Sequence, residues 1–166
     1  MRKEDVELLS PAGTWEALEA AVYAGADAVY LGGTSFGARQ YAENFGPEEL
    51  RRAVHFVHIH KVRIYVTVNT LVRDDELPAL GEYVTELSNI GGDGIIVQDL
   101  AVAAIARRVV PNLPLHGSTQ MSVADLNGVR FLENLGFTQV VLARELPLTE
   151  IEYICAHASA KIEVFI

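Results

Sequence analysis

Leu115-His116-Gly117-Ser118-Thr119-Gln120-Met121-Ser122 is the stretch that decides how this chain is read. A short apolar strand opens there into a polar loop carrying several side chains able to hold a ligand. On either side, strand-like runs ending in polar or glycine residues alternate with amphipathic helix-like runs. That pattern belongs to repeated strand-helix units feeding a parallel sheet. Ligands in such sheets gather at the carboxyl ends of the strands, so the residues expected there are the first candidates for a site.

Towards the amino terminus, Val6-Glu7-Leu8-Leu9-Ser10 reads as a first strand closed by Pro11-Ala12-Gly13. Thr14 then caps a helix whose apolar positions Trp15, Leu18, Ala21 and Val22 recur at helical spacing. Ala28 to Gly33 is a second strand, Pro47 opens a second helix, and Arg63 to Val68 is a third strand ending at Asn69-Thr70. A third helix, Pro78 to Ile90, stops at Gly91-Gly92. Gly94 to Val97 is a fourth strand ending at Gln98-Asp99, Leu100 to Val110 a fourth helix, and Leu113 to Gly117 the fifth strand. A fifth helix is expected from about Ser122 or Val123 to Leu135. Gln139 to Ala143 is a sixth strand closed by Arg144-Glu145, Thr149 caps a sixth helix ending near Ala158, and Lys161 to Phe165 is a seventh strand.

Seven parallel strands and six helices describe an α/β chain, an incomplete TIM-like (β/α) barrel, whose complete eight-fold form typically takes about 250 residues. An open doubly wound sheet is the competing architecture, but no glycine-rich dinucleotide turn follows any strand. The 166 residues, half of them hydrophobic, can bury one substantial core. The reading is a single domain over 1–166, the amino-terminal part of a larger barrel protein.

A formal net charge of -9 argues against a broad, sequence-independent grip on nucleic acid and leaves room for a local basic cleft. No apolar run approaches a membrane span, and the charged start Met1-Arg2-Lys3-Glu4-Asp5 has no apolar signal segment behind it. A cytoplasmic location is the expectation. The single cysteine, Cys155, supports neither an internal disulfide framework nor a site built from several thiolates, and reads as a small buried hydrophobe.

The strand ends carry the chemistry. His116 and Ser118 are two apart on one strand face, but neighbours on a face point in parallel, so a nucleophile and its base are not assembled by this spacing. A histidine filling the barrel interior and a serine capping a turn is the simpler expectation. Arg144 and Glu145 point to opposite faces, so one can enter the mouth while the other pairs behind it; an arginine there can grip a carboxylate or phosphate with two prongs. Glu7, in an otherwise apolar strand, must be paired with a cation or face the interior mouth, with Arg63 and Lys61 as candidate partners. Asn69, Gln98 and Gln120 are amides near three strand ends, suited to orienting a planar polar substrate. With Tyr30, Arg39 and Tyr41 they describe a polar pocket with aromatic walls. His55, His58 and His60 look like a metal cluster, but no glutamate stands where a zinc protease needs it, and their helix should coat the outside of the sheet.

Five blocks in order, Glu7 to Gly13, Ala24 to Gly33, Tyr65 to Thr70, Ser118 to Met121 and Val141 to Leu146, resemble those of the collagenase-like peptidase family. The resemblance implies a barrel-like catalytic domain in proteins that, despite the peptidase name, act in hydroxylation of tRNA or rRNA or in oxygen-independent ubiquinone synthesis. Several members bind a four-iron four-sulfur cluster through cysteines that follow a Glu-x-Phe element. Glu163-Val164-Phe165 matches that element, Cys155 precedes it, and no cluster ligand is carried over to this chain. The parent is therefore expected to modify a small molecule or RNA, with a cluster possible in the parent and no cofactor in this chain. Peptide hydrolysis and a noncatalytic binding role are the alternatives. Unpaired edges of the first and seventh strands predict a homodimer.

Overall fold

The computed structural model describes residues 6–38 and 44–166. Its strands are β1 (Leu9–Pro11), β2 (Ala28–Gly32), β3 (Arg63–Val68), β4 (Gly94–Val97), β5 (Leu115–Gly117), β6 (Gln139–Val141) and β7 (Lys161–Glu163). Between them lie α1 (Trp15–Tyr23), α2 (Pro47–Ile59), α3 (Leu77–Asn89), α4 (Leu100–Val109), α5 (Leu126–Asn134) and α6 (Leu148–His157). Every neighbouring pair of strands is parallel, and the sheet runs β1 to β7 without a reversal of order. A doubly wound sheet needs such a reversal, so the incomplete barrel is the architecture.

Strand alternation sorts the two faces. Val29, Leu31, Ile64, Val66, Val68, Ile95, Val97, Leu115 and Val140 join the helices in one buried core. Ala28, Tyr65 and Ile96, with Leu9 and Tyr30 against them, form a small second cluster on the opposite, inward face. Side chains such as Leu18, Leu80 and Leu87 are fully withdrawn from water, each stabilising the fold by roughly 1.5–3 kcal/mol.

Several ends follow their local chemistry. Thr14 Oγ1 accepts from the Ala17 amide to cap α1, and Gly25, Gly91 and Gly136 have positive φ just past α1, α3 and α5, where a side chain would be strained. Others differ from expectation. β1 begins at Leu9, not Val6, because Leu8 already bonds Asp27 by its amide and the chain pairs with β2 only beyond it. α5 starts at Leu126: Asp125 Oδ1 accepts from the Asn127 and Gly128 amides, and a 3-10 turn over Thr119–Met121 occupies the residues between. Thr149 lies inside α6, after Pro147 at the cap position. Cys155 is exposed, because Ile154 alone of α6 is buried and the next residue is turned away from it.

One arginine does structural work that the sequence did not disclose. Arg107 of α4 donates to the carbonyls of Pro111 and Leu113 at 2.8 and 2.9 Å and also to that of Gly136, tying the ends of α4 and α5 to the start of β5.

Candidate functional site

A cavity of about 310 Å³ lies at the carboxyl ends of the strands. Its lining comes from the strands' carboxyl-terminal parts and the segments that follow them: Pro11 to Gly13, Tyr30 to Gly32, Thr67 and Asn69, Ile96, Ser118 to Gln120, Val141 and Arg144, and Glu163 with Phe165. A wider groove of about 700 Å³ runs over α3 and α4 beside Gly81, Ile105 and Val109. That groove is open and lies on the helical exterior, away from the strand ends, so the smaller cavity is the candidate site.

Hydrogen bonds join the rim across strands. Asn69 accepts from the Ala38 amide at 3.0 Å and donates to Gln120 Oε1 at 2.8 Å. Ser118 Oγ donates to that same Gln120 oxygen at 3.3 Å and accepts from the Gln120 amide at 3.3 Å, so the serine caps the turn after β5. The belt thus links β3, β5 and the loop after β2. Gly32 leaves the necessary room: a Cβ there would stand 2.8 Å from Asn44 Oδ1 and 3.3 Å from Thr67 Oγ1.

Arg144 and Glu163 are the charged residues of the lining. The Arg144 guanidinium lies 4.0 Å from the centre of the Phe165 ring, and among the described residues no carboxylate pairs with it. Glu163 Oε2 accepts from the Gln139 amide nitrogen at 2.7 Å. Removal from water raises the Glu163 carboxyl above its ordinary range, the Gln139 bond opposes this, and the charge of Glu7 adds to it.

Of the residues expected in the site, Arg144, Asn69, Ser118, Gln120 and Tyr30 line this one cavity. Gln98 is half-buried after β4 and is not among the lining. Glu145 is exposed and has no ion-pair partner among the described residues, so it does not pair behind Arg144. Arg39 and Tyr41 lie outside the described residues.

Glu7 and His116 belong to the layer beneath. Glu7 pairs with Arg63, the first residue of β3, receives the Tyr65 hydroxyl at 2.9 Å, and stands 3.9 Å from Lys161, the first residue of β7. It therefore sits at the amino-terminal end of the sheet, opposite the mouth; its cations are Arg63 and Lys161 rather than Lys61. This is where a carboxylate in an apolar run finds compensation. His116 is 4% exposed, meets the Tyr65 ring at 4.4 Å between centroids, and its Nδ1 has no hydrogen-bond partner. Burial, then Lys161 and Arg63, push its pKa down to about 4, so it is a neutral imidazole at physiological pH. On the outer face, His58 Nε2 meets Asp93 at 2.9 Å and His60 Nδ1 meets the Phe56 carbonyl at 2.8 Å.

Sequence reasoning missed Thr67, Glu163 and Phe165 as lining residues. The signal was available for the last two: 161, 163 and 165 alternate, so the face that carries one carries all.

The model of peptidase family U32 matches residues 13–166. The chain belongs to peptidase family U32. Among relatives, the 23S rRNA 5-hydroxycytidine C2501 synthase of Escherichia coli is 42% identical over 97% of this chain and 24% of its own length. The tRNA hydroxylation protein P1 of Bacillus subtilis is 40% identical over 96% of this chain and 38% of its own length. The chain thus spans well under half of either relative. Among solved structures, the U32 peptidase Mk0906 superposes with a TM-score of 0.79 at 16% identity, covering 96% of this chain and 68% of that one, which shows a shared fold.

Proposed function

We propose that this U32 chain is the barrel part of a protein that takes part in hydroxylating tRNA or rRNA, and that its strand-end cavity holds a small acidic molecule through Arg144. The observation that carries the reading is the Arg144 guanidinium itself: it is placed at the cavity by the Phe165 ring and left without a carboxylate partner among the described residues. A cation so placed is available to a ligand anion, and the planar fork matches a carboxylate or phosphate. The rRNA- and tRNA-modifying relatives support the RNA as substrate. With a net charge of -9, RNA contact is confined to local patches. Alone, this chain binds without turnover.

The family name suggests peptide hydrolysis, and the geometry does not favour it. Ser118 Oγ exchanges hydrogen bonds with Gln120 rather than with an imidazole, and among the described residues no group of three or more His, Cys, Asp or Glu side chains is arranged to hold a metal ion. A four-iron four-sulfur cluster does not fit the residues of this chain. Cys155 is the single thiol, it is exposed on α6, and it is not part of the cavity, so no step is assigned to a cluster. No helix among the described residues is long and apolar enough to cross a membrane. The open edges at β1 and β7, with Leu8 and Val164 exposed beside them, support self-association of the chain.

The test is made in cells whose own gene has been deleted, complemented with the larger parent protein, wild type or carrying Arg144→Ala, with the hydroxylated nucleosides of rRNA and tRNA quantified by mass spectrometry. Restoration of one hydroxylated nucleoside by the wild type and its loss in Arg144→Ala, at equal protein level, is the expected result. No change in any RNA nucleoside on deletion would remove the RNA reading.

A further inference from the structure

A side-chain amide has one accepting and one donating end of nearly equal size, so its partners decide which end is left for a ligand. At the rim of the cavity those partners are settled by two backbone amides, which can only donate. The Ala38 amide donates to Asn69 Oδ1 at 3.0 Å, which turns Asn69 Nδ2 towards Gln120, where Oε1 accepts it at 2.8 Å. The Gln120 backbone amide donates to Ser118 Oγ at 3.3 Å, and the serine's own proton goes to that same Gln120 Oε1, again at 3.3 Å.

The belt therefore has a fixed polarity. Asn69 uses both ends of its amide within the protein, Ser118 uses its single proton, and Gln120 Oε1 accepts twice. Among the described residues Gln120 Nε2 has no acceptor, and Gln120 is an exposed residue of the cavity that Arg144 also lines. Turning the Gln120 amide over would set Nε2 against Asn69 Nδ2, donor against donor, so the arrangement resists reversal.

We infer that Gln120 is a preset hydrogen-bond donor to the molecule held in the cavity, and that Asn69 and Ser118 are positioning residues that fix which end of Gln120 meets it. This assignment rests on the proposed binding of an anion at Arg144 and adds the residue that orients it: the guanidinium holds the charge while Nε2 draws an acceptor atom. Selectivity by polarity follows, because a ligand atom that can only donate finds no free acceptor in this belt.

The probe is 3-phenylpropionate, titrated calorimetrically into the full chain. Gln120→Met keeps the length of the side chain without its donors and should weaken binding roughly two- to tenfold, the contribution of one hydrogen bond. Asn69→Ala frees the Gln120 amide to turn and should weaken binding by no more than that. In the Gln120→Met background it should have no further effect, because it acts through Gln120. The spectroscopic signature is the Gln120 side-chain amide in a sample isotopically labelled at glutamine nitrogen, assigned by its loss in Gln120→Met. Its protons should move downfield as the probe saturates the wild type, and less so in Asn69→Ala. Wild-type affinity in Gln120→Met, or no movement of these protons at saturation, overturns the donor assignment. An equal loss from Asn69→Ala in both backgrounds overturns the positioning roles, since Asn69 would then touch the probe itself. Arg144→Ala separates the two readings: weakened binding there with wild-type affinity in Gln120→Met sinks this inference alone. Undiminished binding in Arg144→Ala sinks the anion reading and leaves Gln120→Met to decide this one. Failure of the wild type to bind the probe overturns both.

Discussion

The Arg144 guanidinium lies 4.0 Å from the centre of the Phe165 ring. An aromatic face holds a cation in place without neutralising it, contributing about 0.5–2 kcal/mol of attraction depending on how far water is excluded. A carboxylate partner would have held it equally well and cancelled the charge. The two residues come from the segments after β6 and after β7, so their contact depends on those neighbouring strands being parallel and in register, as Val141 opposite Glu163 shows.

Asp99 is predicted to be a principal stabilising residue of the rim scaffold. Its Oδ1 accepts from the Ala101 amide at 2.8 Å as the cap of α4, and its Oδ2 accepts from the Val72 amide at 3.0 Å, fastening the segment after β3. Asp99→Ala removes a cap and leaves a second amide without its partner, for a loss of about 2 kcal/mol in urea unfolding. Asp99→Asn keeps one acceptor oxygen and should lose about half as much. A loss below about 0.5 kcal/mol in Asp99→Ala would show that solvent replaces both bonds.

The acid stability of the fold should depend on two groups acting in opposite directions, one buried and one half-buried. His116, with its pKa pushed down to about 4 in the fold, is neutral there while the unfolded imidazole takes up a proton below its ordinary value of 6.5. Between those values the unfolded state binds more protons, so stability rises with pH; it is fully present above 6.5 and lost as pH falls to about 4, by up to about 3 kcal/mol. Glu163 is raised instead, so in the fold it keeps a proton that the unfolded chain releases, and its contribution falls as pH rises from the ordinary glutamate value to its raised one. Unfolding free energies measured across this range should flatten in His116→Leu and steepen in Glu163→Gln. Identical slopes in wild type and His116→Leu would mean that the imidazole is solvated in the fold.

Self-association is expected through the sheet edges. β1 and β7 each have a neighbour on one side in the sheet, and Leu8 and Val164, beside those edges, are 48% and 41% exposed. Size exclusion with light scattering should find a dimer or larger species of this chain, and charged substitutions such as Leu8→Lys should shift it towards monomer. A clean monomer at high concentration would contradict the expectation.

The fold was legible wherever a strand or helix carried its own periodicity. The apolar runs at 28–32, 63–68 and 94–97, each followed by an amphipathic helix, were enough to give the parallel order. The short ends were not, since two or three residues carry no period: β1 lost Val6, Glu7 and Leu8, and the 3-10 turn over Thr119–Met121 delayed α5. Asn69, Ser118, Gln120 and Arg144 line one cavity, because a barrel rim converts sequence distance into proximity. Strand-end position could not place Glu7, whose position depends on Arg63 and Lys161, nor exclude Gln98, whose direction depends on how the chain leaves β4. Glu163 was read only as part of a motif, since its closeness to Gln139 across β6 and β7 is a matter of register.

Arg144 is the group expected to hold the ligand anion. The direct measurement is calorimetric titration of a small aromatic carboxylate, 3-phenyllactate, into the wild type, Arg144→Ala, Arg144→Lys and the exposed α5 control Arg130→Ala. Loss of a two-pronged charged contact should weaken binding by roughly 1.5–3 kcal/mol, about ten- to a hundredfold, in Arg144→Ala. Arg144→Lys should recover part of this, because lysine restores charge without the fork, and Arg130→Ala should bind as the wild type does. Wild-type affinity in a folded Arg144→Ala variant would contradict the account and leave Arg144 a packing partner of Phe165.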